Sequence, residues 1–284
     1  MKVYVSTINF GFGPLPELLQ QISDPVYLAV EVSSGHPATP VAKESTEATL
    51  RYQKDNGASV ILHNFAPPEP GDLLINLSEP DNDRRQQVIE FLKSRIDLTK
   101  ELGSDYYSFH GGYRVPYRFG VSQYTANDRL SREQALETFM WGLREVLAHA
   151  EAKKIHIGVE NHVVDTENAE NVILFDQPDF EFMFNRFSSE YLHLHLDTGH
   201  IKVSSQALGF DPYSFINAFQ DKIMVAHLHD NSGAVDEHHP FAADAWFLNQ
   251  LGELPDLQYV CLETKTGGDH QRICQMVSLL KGLK

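Results

Sequence analysis

The chain has 284 residues, 42% hydrophobic and 22% charged, the balance of a globular protein with ample length for a large core. Its formal net charge of −16 disfavours phosphate backbones, so nucleic-acid binding is not expected as a general function. There is no run of eighteen apolar residues to cross a membrane, Cys261 and Cys274 give no disulfide framework, and MKVYVSTINFGFG lacks a secretory signal's features, so a cytoplasmic location is expected.

Eight short β-rich runs follow one another. VYVSTINF starts at Val3, VYLAVEV at Val26, SVILHNF at Ser59 and DYYSFHGG at Asp105. IHIGVEN starts at Ile155, YLHLHLDTGH at Tyr191, KIMVAHLHDN at Lys222 and QYVCLETK at Gln258. Helical segments separate them. Lys54 to Gly57 (KDNG) reads as a helix exit. Residues 83–102 carry Val88, Phe91, Leu92, Ile96 and Leu98 near helical spacing. Ser131 to Gln134 (SREQ) has the form of a capping box. Asp211–Pro212 reads as an N-cap and first helical residue. Strands alternating with helices imply parallel βαβ units, and eight of them closing on themselves give an α/β fold of one domain over residues 1–284, a (β/α)₈ TIM barrel. An open doubly wound sheet is disfavoured by the lack of GxGxxG or Walker A loops. The loops at 66–81 and 231–241 are long, and long βα loops of a barrel lie over its active site.

Such a site forms at the C-terminal ends of the strands. The third strand ends at His63 and the fourth at His110, followed by Gly111–Gly112. The fifth ends at Glu160, the sixth at Asp197 with His200 just beyond, and the eighth at Glu263. The seventh carries His227 and His229. Side chains alternate along a strand, so His193, His195 and Asp197 share one face and Leu192, Leu194 and Leu196 the other. Leucines suit the helix-packed outside, which sends the polar face into the barrel, where buried polar groups need partners. Taken singly, each residue has a plainer reading: a strand histidine such as His193 or His195 is more often a hydrogen-bonded core residue, and Asp197 before Thr198–Gly199 serves equally as a turn former. Six consecutive strand ends bearing metal-ligand residue types share no plainer reading, which points to metal binding. The count of fourteen histidines does not choose by itself, since histidine is both the commonest transition-metal ligand and a satisfied polar residue in cores. Mixed histidine and carboxylate donors suit Zn²⁺ or Mn²⁺ over Ca²⁺.

The ordered set ILHN, SFHGG, GVEN, LDTGH, AHLHD, VDEHHP and LET resembles the endonuclease IV and xylose-isomerase-like superfamily of metal-dependent TIM barrels, which includes AP endonuclease family 2 and sugar phosphate isomerases and epimerases. The resemblance runs from the third strand to the end of the eighth. It implies that Glu160, Asp197, His227 and Glu263 hold one metal, as in the sugar isomerases. It implies further that His63, His110, His200, Asp236 and His238 complete the nine residues with which endonuclease IV holds three zinc ions. Glu160 and Glu263 match residues shared between metals there. The loops depart from endonuclease IV: SSGHPATPVAKE and FAPPEPGDLL lack the basic and aromatic residues that engage DNA, and PFAADAW replaces the glycine-rich segment after D-x-H. HNFAPP is closer to the small-molecule members.

Three functions follow. A multinuclear site, zinc with two or three ions or alternatively manganese, would hydrolyse a phosphate ester or related bond in a small sugar-like molecule. A one-metal site would isomerise or epimerise a sugar or sugar phosphate, with Glu160 and Glu263 as general acid and base. Cleavage of abasic DNA ranks third on charge. Ligand count favours the hydrolase. Arg114, Arg118, Lys202 and Lys265 near the strand ends are candidates to meet an anionic substrate, and His229 a substrate or ligand-supporting contact. Glu237 and His239 are expected to face solvent.

Overall fold

The computed structural model describes residues 1–22, 27–37, 42–68, 73–116 and 128–283. Arg118 and parts of the loops after the second, third and fourth strands lie outside these.

Eight parallel strands close into a barrel in sequence order, β1 pairing with both β2 and β8. They are β1 (Lys2–Ser6), β2 (Ala29–Val32), β3 (Ser59–His63), β4 (Tyr106–His110), β5 (His156–Glu160), β6 (Leu192–Asp197), β7 (Ile223–Leu228) and β8 (Tyr259–Leu262). Seven of them fall within their β-rich runs, and β1 starts one residue earlier than its run, at Lys2. Outside pack α1 (Leu15–Gln21), α2 (Ala42–Asn56), α3 (Asn82–Glu101), α4 (Arg132–Lys153) and α5 (Gln177–Arg186), then α6 (Thr198–Leu208), α7 (Pro212–Ala218), α8 (Leu248–Glu253) and α9 (His270–Lys281). Among the described residues no helix is long and apolar enough to cross a membrane.

Local chemistry sets the boundaries. Ser131 and Gln134 make both hydrogen bonds of the capping box that starts α4, and Asp211 caps α7 ahead of Pro212. Asp197 ends β6 and caps α6, its Oδ1 accepting the His200 backbone N–H at 2.7 Å. Gly57 leaves α2 with a φ of 61°, as its position after KDN requires.

Parity places two different cores. Leu192, Leu194 and Leu196 join Val30, Val32, Leu62, Phe109 and Val159 in the apolar layer between strands and helices. The inside of the barrel is mixed, with small apolar clusters around Ile61 and Cys261 and around Tyr106 and Val225 beside a polar layer. There Tyr106 Oη is 2.9 Å from His195 Nδ1, and the ring centroids of His195 and His227 are 4.0 Å apart. Gly158 makes that layer possible, because a Cβ there would stand 1.9 Å from the Tyr106 hydroxyl oxygen. His193 lies toward the opposite end of β6, with Nε2 2.8 Å from His156 Nδ1.

Candidate metal centre

The nine strand-end and loop residues converge at the C-terminal mouth. His63 Nε2 and His110 Nε2 stand 3.1 and 3.5 Å from Glu160 Oε2. The second nitrogen of His63 is held 2.9 Å from Ser108 Oγ. On the other side of the same carboxylate, His200 Nδ1 is 3.2 Å from Glu160 Oε1. Three carboxylates surround His227 Nδ1: Glu263 Oε2 at 3.1 Å, with Glu160 Oε1 and Asp197 Oδ2 both at 3.8 Å. A third group joins His200 Nε2 and His238 Nε2 to Asp236 Oδ2 at 3.4 and 2.9 Å. His229 Nε2 closes it, 3.0 Å from Asp197 Oδ1 and 3.7 Å from Asp236 Oδ1. A Cβ on Gly199 would lie 1.8 Å from the His229 ring, so glycine is needed in LDTGH for that histidine to fit.

The donor chemistry fits a divalent cation. Neither oxygen of buried Glu160, nor His227 Nδ1, nor Asp236 Oδ1 receives a well-directed hydrogen bond, although orphaned buried polar atoms are costly. Burial alone would raise the Glu160 carboxyl, but His110, His63 and His227 override it and hold it well below the usual range. Burial is likewise overridden at Glu263, by His227 and His238. In the opposite sense, burial would lower His227, and Glu263, Glu31 and Glu160 together raise it well above its ordinary value. His238 rises to about 9, since Asp236 and Glu263 outweigh its burial. Without a cation, protons on these imidazoles offset the carboxylate charge; a bound divalent ion would supply that charge in their place.

Several supporting residues escape a strand-end reading. Ser33 Oγ donates to Glu263 Oε1 at 3.2 Å. Asn161 braces Asp197 through its backbone, Oδ1 accepting its N–H at 2.7 Å and Nδ2 donating to its carbonyl at 3.2 Å. Glu31 lies 2.8 Å from His227 Nε2. An acid between the valines of AVEV was its sequence signal.

A pocket of about 300 Å³ opens above the cluster, lined by Ile8, Phe12, Tyr113, His110, His238 and Lys265 among others. Of the basic residues expected to meet substrate, Lys265 lines it. Lys202 does not reach into it freely: its Nζ is 2.6 Å from Asp230 Oδ1 and 2.5 Å from the Asn231 carbonyl. Arg114 Nε donates to the Leu130 carbonyl at 3.0 Å. His229 is fully buried, among the ligand-type residues rather than at the pocket wall. His239 is exposed, whereas Glu237 folds back to accept the Ser232 N–H at 2.7 Å.

A family model described as xylose isomerase-like TIM barrel matches residues 27–280. A curated relative, uncharacterized protein y4fM of Sinorhizobium fredii, is 27% identical over 183 residues, 64% of this chain and 53% of the relative. The match thus spans about half of the relative's length. A D-tagatose 3-epimerase-like protein superposes with a TM-score of 0.76 at 20% identity, covering 100% of this chain and 97% of that one. An AP endonuclease of family 2 from Brucella melitensis gives 0.66 at 15% identity, covering 94% and 96%. Sugar 3- and 4-epimerases recur among similar structures. At these identities the likenesses show the fold.

Proposed function

The chain belongs to the xylose isomerase-like TIM barrel family, and we propose that it is a divalent-metal-dependent epimerase or isomerase of a small sugar or sugar-like molecule. One observation carries this reading. Glu160 and Glu263, buried and held ionised, reach the same His227 from β5 and β8, three places apart in the barrel. Glu160, Asp197, His227 and Glu263 would hold the cation. The cation, Zn²⁺ or Mn²⁺, would polarise a carbonyl and its neighbouring hydroxyl. One glutamate takes the proton from the carbon beside that carbonyl, and the other returns a proton to the opposite face or to the adjacent carbon. Phe12 and Tyr113 offer apolar faces to a sugar ring at the mouth, and Lys265 a single cation. The recurrence of sugar epimerases among similar structures supports this order, which reverses the one that ligand count suggests.

A second reading keeps a specific observation. The groups His63–His110–Glu160 and His200–His229–Asp236–His238 provide more donors than one ion needs, as a zinc-cluster hydrolase of phosphate esters requires. Metal content per chain and deuterium exchange separate the two. Incorporation of solvent deuterium into a ketose or aldose with one ion bound supports epimerisation. Hydrolysis of phosphate esters with two or three ions bound, and no exchange across a broad sugar panel, rejects it.

A further inference from the structure

Glu31 and His227 make a contact that crosses the inside of the barrel. Glu31 is on β2 and His227 on β7, with β1 and β8 between them in the sheet. Val30 and Val32 face the apolar layer beneath the helices, so alternation turns Glu31 inward, where it is fully buried. An unpaired carboxylate there would be costly. Its Oε2 accepts from His227 Nε2–H at 2.8 Å, and the Cys261 thiol lies in the same group.

The consequence falls on the other ring nitrogen. An imidazole that gives Nε2–H to a carboxylate keeps its Nδ1 lone pair for a different partner. Nδ1 of His227 is buried without a hydrogen bond and stands among Glu263, Glu160 and Asp197. We propose that Glu31 is a positioning residue of the metal centre: it touches neither cation nor substrate, and it fixes the ring and tautomer of His227 so that Nδ1 is the ligating atom. This rests on the reading in which Glu160, Asp197, His227 and Glu263 hold the cation. A carboxylate that merely fills the barrel interior would contribute to folding but not to metal affinity.

The test uses the full chain with Glu31→Gln and Glu31→Asp. Zn²⁺ and Mn²⁺ affinities are measured by competition with a chromogenic chelator, metal-free melting is recorded alongside, and the His227 ring is followed by ¹⁵N NMR. Glu31→Gln is expected to weaken metal binding by about 10- to 100-fold and to give a mixture of His227 tautomers in the zinc-loaded protein. Glu31→Asp, which keeps the charge, is expected to fall between it and the wild type, and it decides the matter if Glu31→Gln does not fold. Wild-type affinity and an unchanged His227 spectrum in a folded variant overturn the proposal whatever happens to melting, while leaving the metal centre intact. A wild-type protein that binds neither ion fails at the functional reading itself and takes the proposal with it.

Discussion

His63 Nε2 and Glu160 Oε2 stand 3.1 Å apart at the ends of β3 and β5, both almost closed to solvent. Glu160 is the residue on which the ligand-type groups converge, one oxygen toward His63 and His110 and the other toward His200 and His227. Glu160→Gln keeps the volume and removes the charge. It is expected to lower turnover by at least about a hundredfold and to reduce retained metal, measured by steady-state kinetics and elemental analysis. Turnover near wild type would remove Glu160 from the chemistry.

The barrel and its mouth were legible because they rest on local rules. Alternation in YLHLHLD separates leucines from histidines, and the strand ends then fall in one ring. What crosses the barrel was not legible. The bond between Glu31 and His227 joins residues 196 positions apart, and no periodicity encodes it. Lys202 illustrates the other limit: its position two residues after His200 suggests substrate, but its ammonium is taken up by Asp230. The order of epimerase and hydrolase could not be read from donors alone, since Glu160 serves either one ion or several.

Removal of metal is expected to destabilise the protein, and more so at high pH. Binding at a thousandfold excess over Kd contributes about 4 kcal/mol, which at about 2 °C per kcal/mol for a chain of this size is about 8 °C in Tm. In the metal-free protein His238 is raised to about 9. Its stabilising contribution is therefore complete below the unfolded value near 6.5 and is lost as pH rises toward about 9. The difference in Tm between metal-loaded and chelated protein should widen from pH 6 to pH 9. A constant difference would show that His238 gains no such stabilisation.

His36 has the opposite sign. It is buried beside Thr7, its Nε2 2.7 Å from Thr7 Oγ1, and burial pushes it down to about 4. The unfolded chain takes up a proton near pH 6.5 that the folded chain refuses until about 4, so stability falls as pH drops through that window. The slope from this group approaches about 1.4 kcal/mol per pH unit. Comparing urea unfolding of the metal-free wild type and His36→Gln between pH 7 and 4.5 isolates it. The variant should show the shallower acid loss, and equal slopes would contradict the assignment.

Away from the site, Asp179 joins three segments. Its Oδ1 accepts from Arg132 Nε at 2.9 Å and its Oδ2 from the Leu174 backbone N–H at 2.7 Å, and it is buried. Asp179→Ala removes two charge-assisted bonds and strands the Leu174 N–H. A loss of about 2–4 kcal/mol is expected in urea unfolding, with metal content unchanged. A loss below about 1 kcal/mol would mean that water replaces both bonds.

Lys202 gives the sharpest separation between a substrate contact and a clasp. Its Nζ ties Asp230 and the Asn231 carbonyl at the start of the loop that carries Asp236 and His238. Asp230 also pairs with His239 in an isolated antiparallel bridge, so both ends of the loop are held, while His238 itself adopts a φ of 54° that costs a non-glycine residue about 1–2 kcal/mol. Lys202→Met preserves the stem and removes the tie. The loop then has less to offset that conformation, and Asp236 and His238 should drift from His200. The expected result is weaker binding of any ion held by His200, His229, Asp236 and His238, seen as lower metal content at limiting zinc, with little change in substrate KM once metal is saturating. A raised KM with metal content intact would return Lys202 to the substrate.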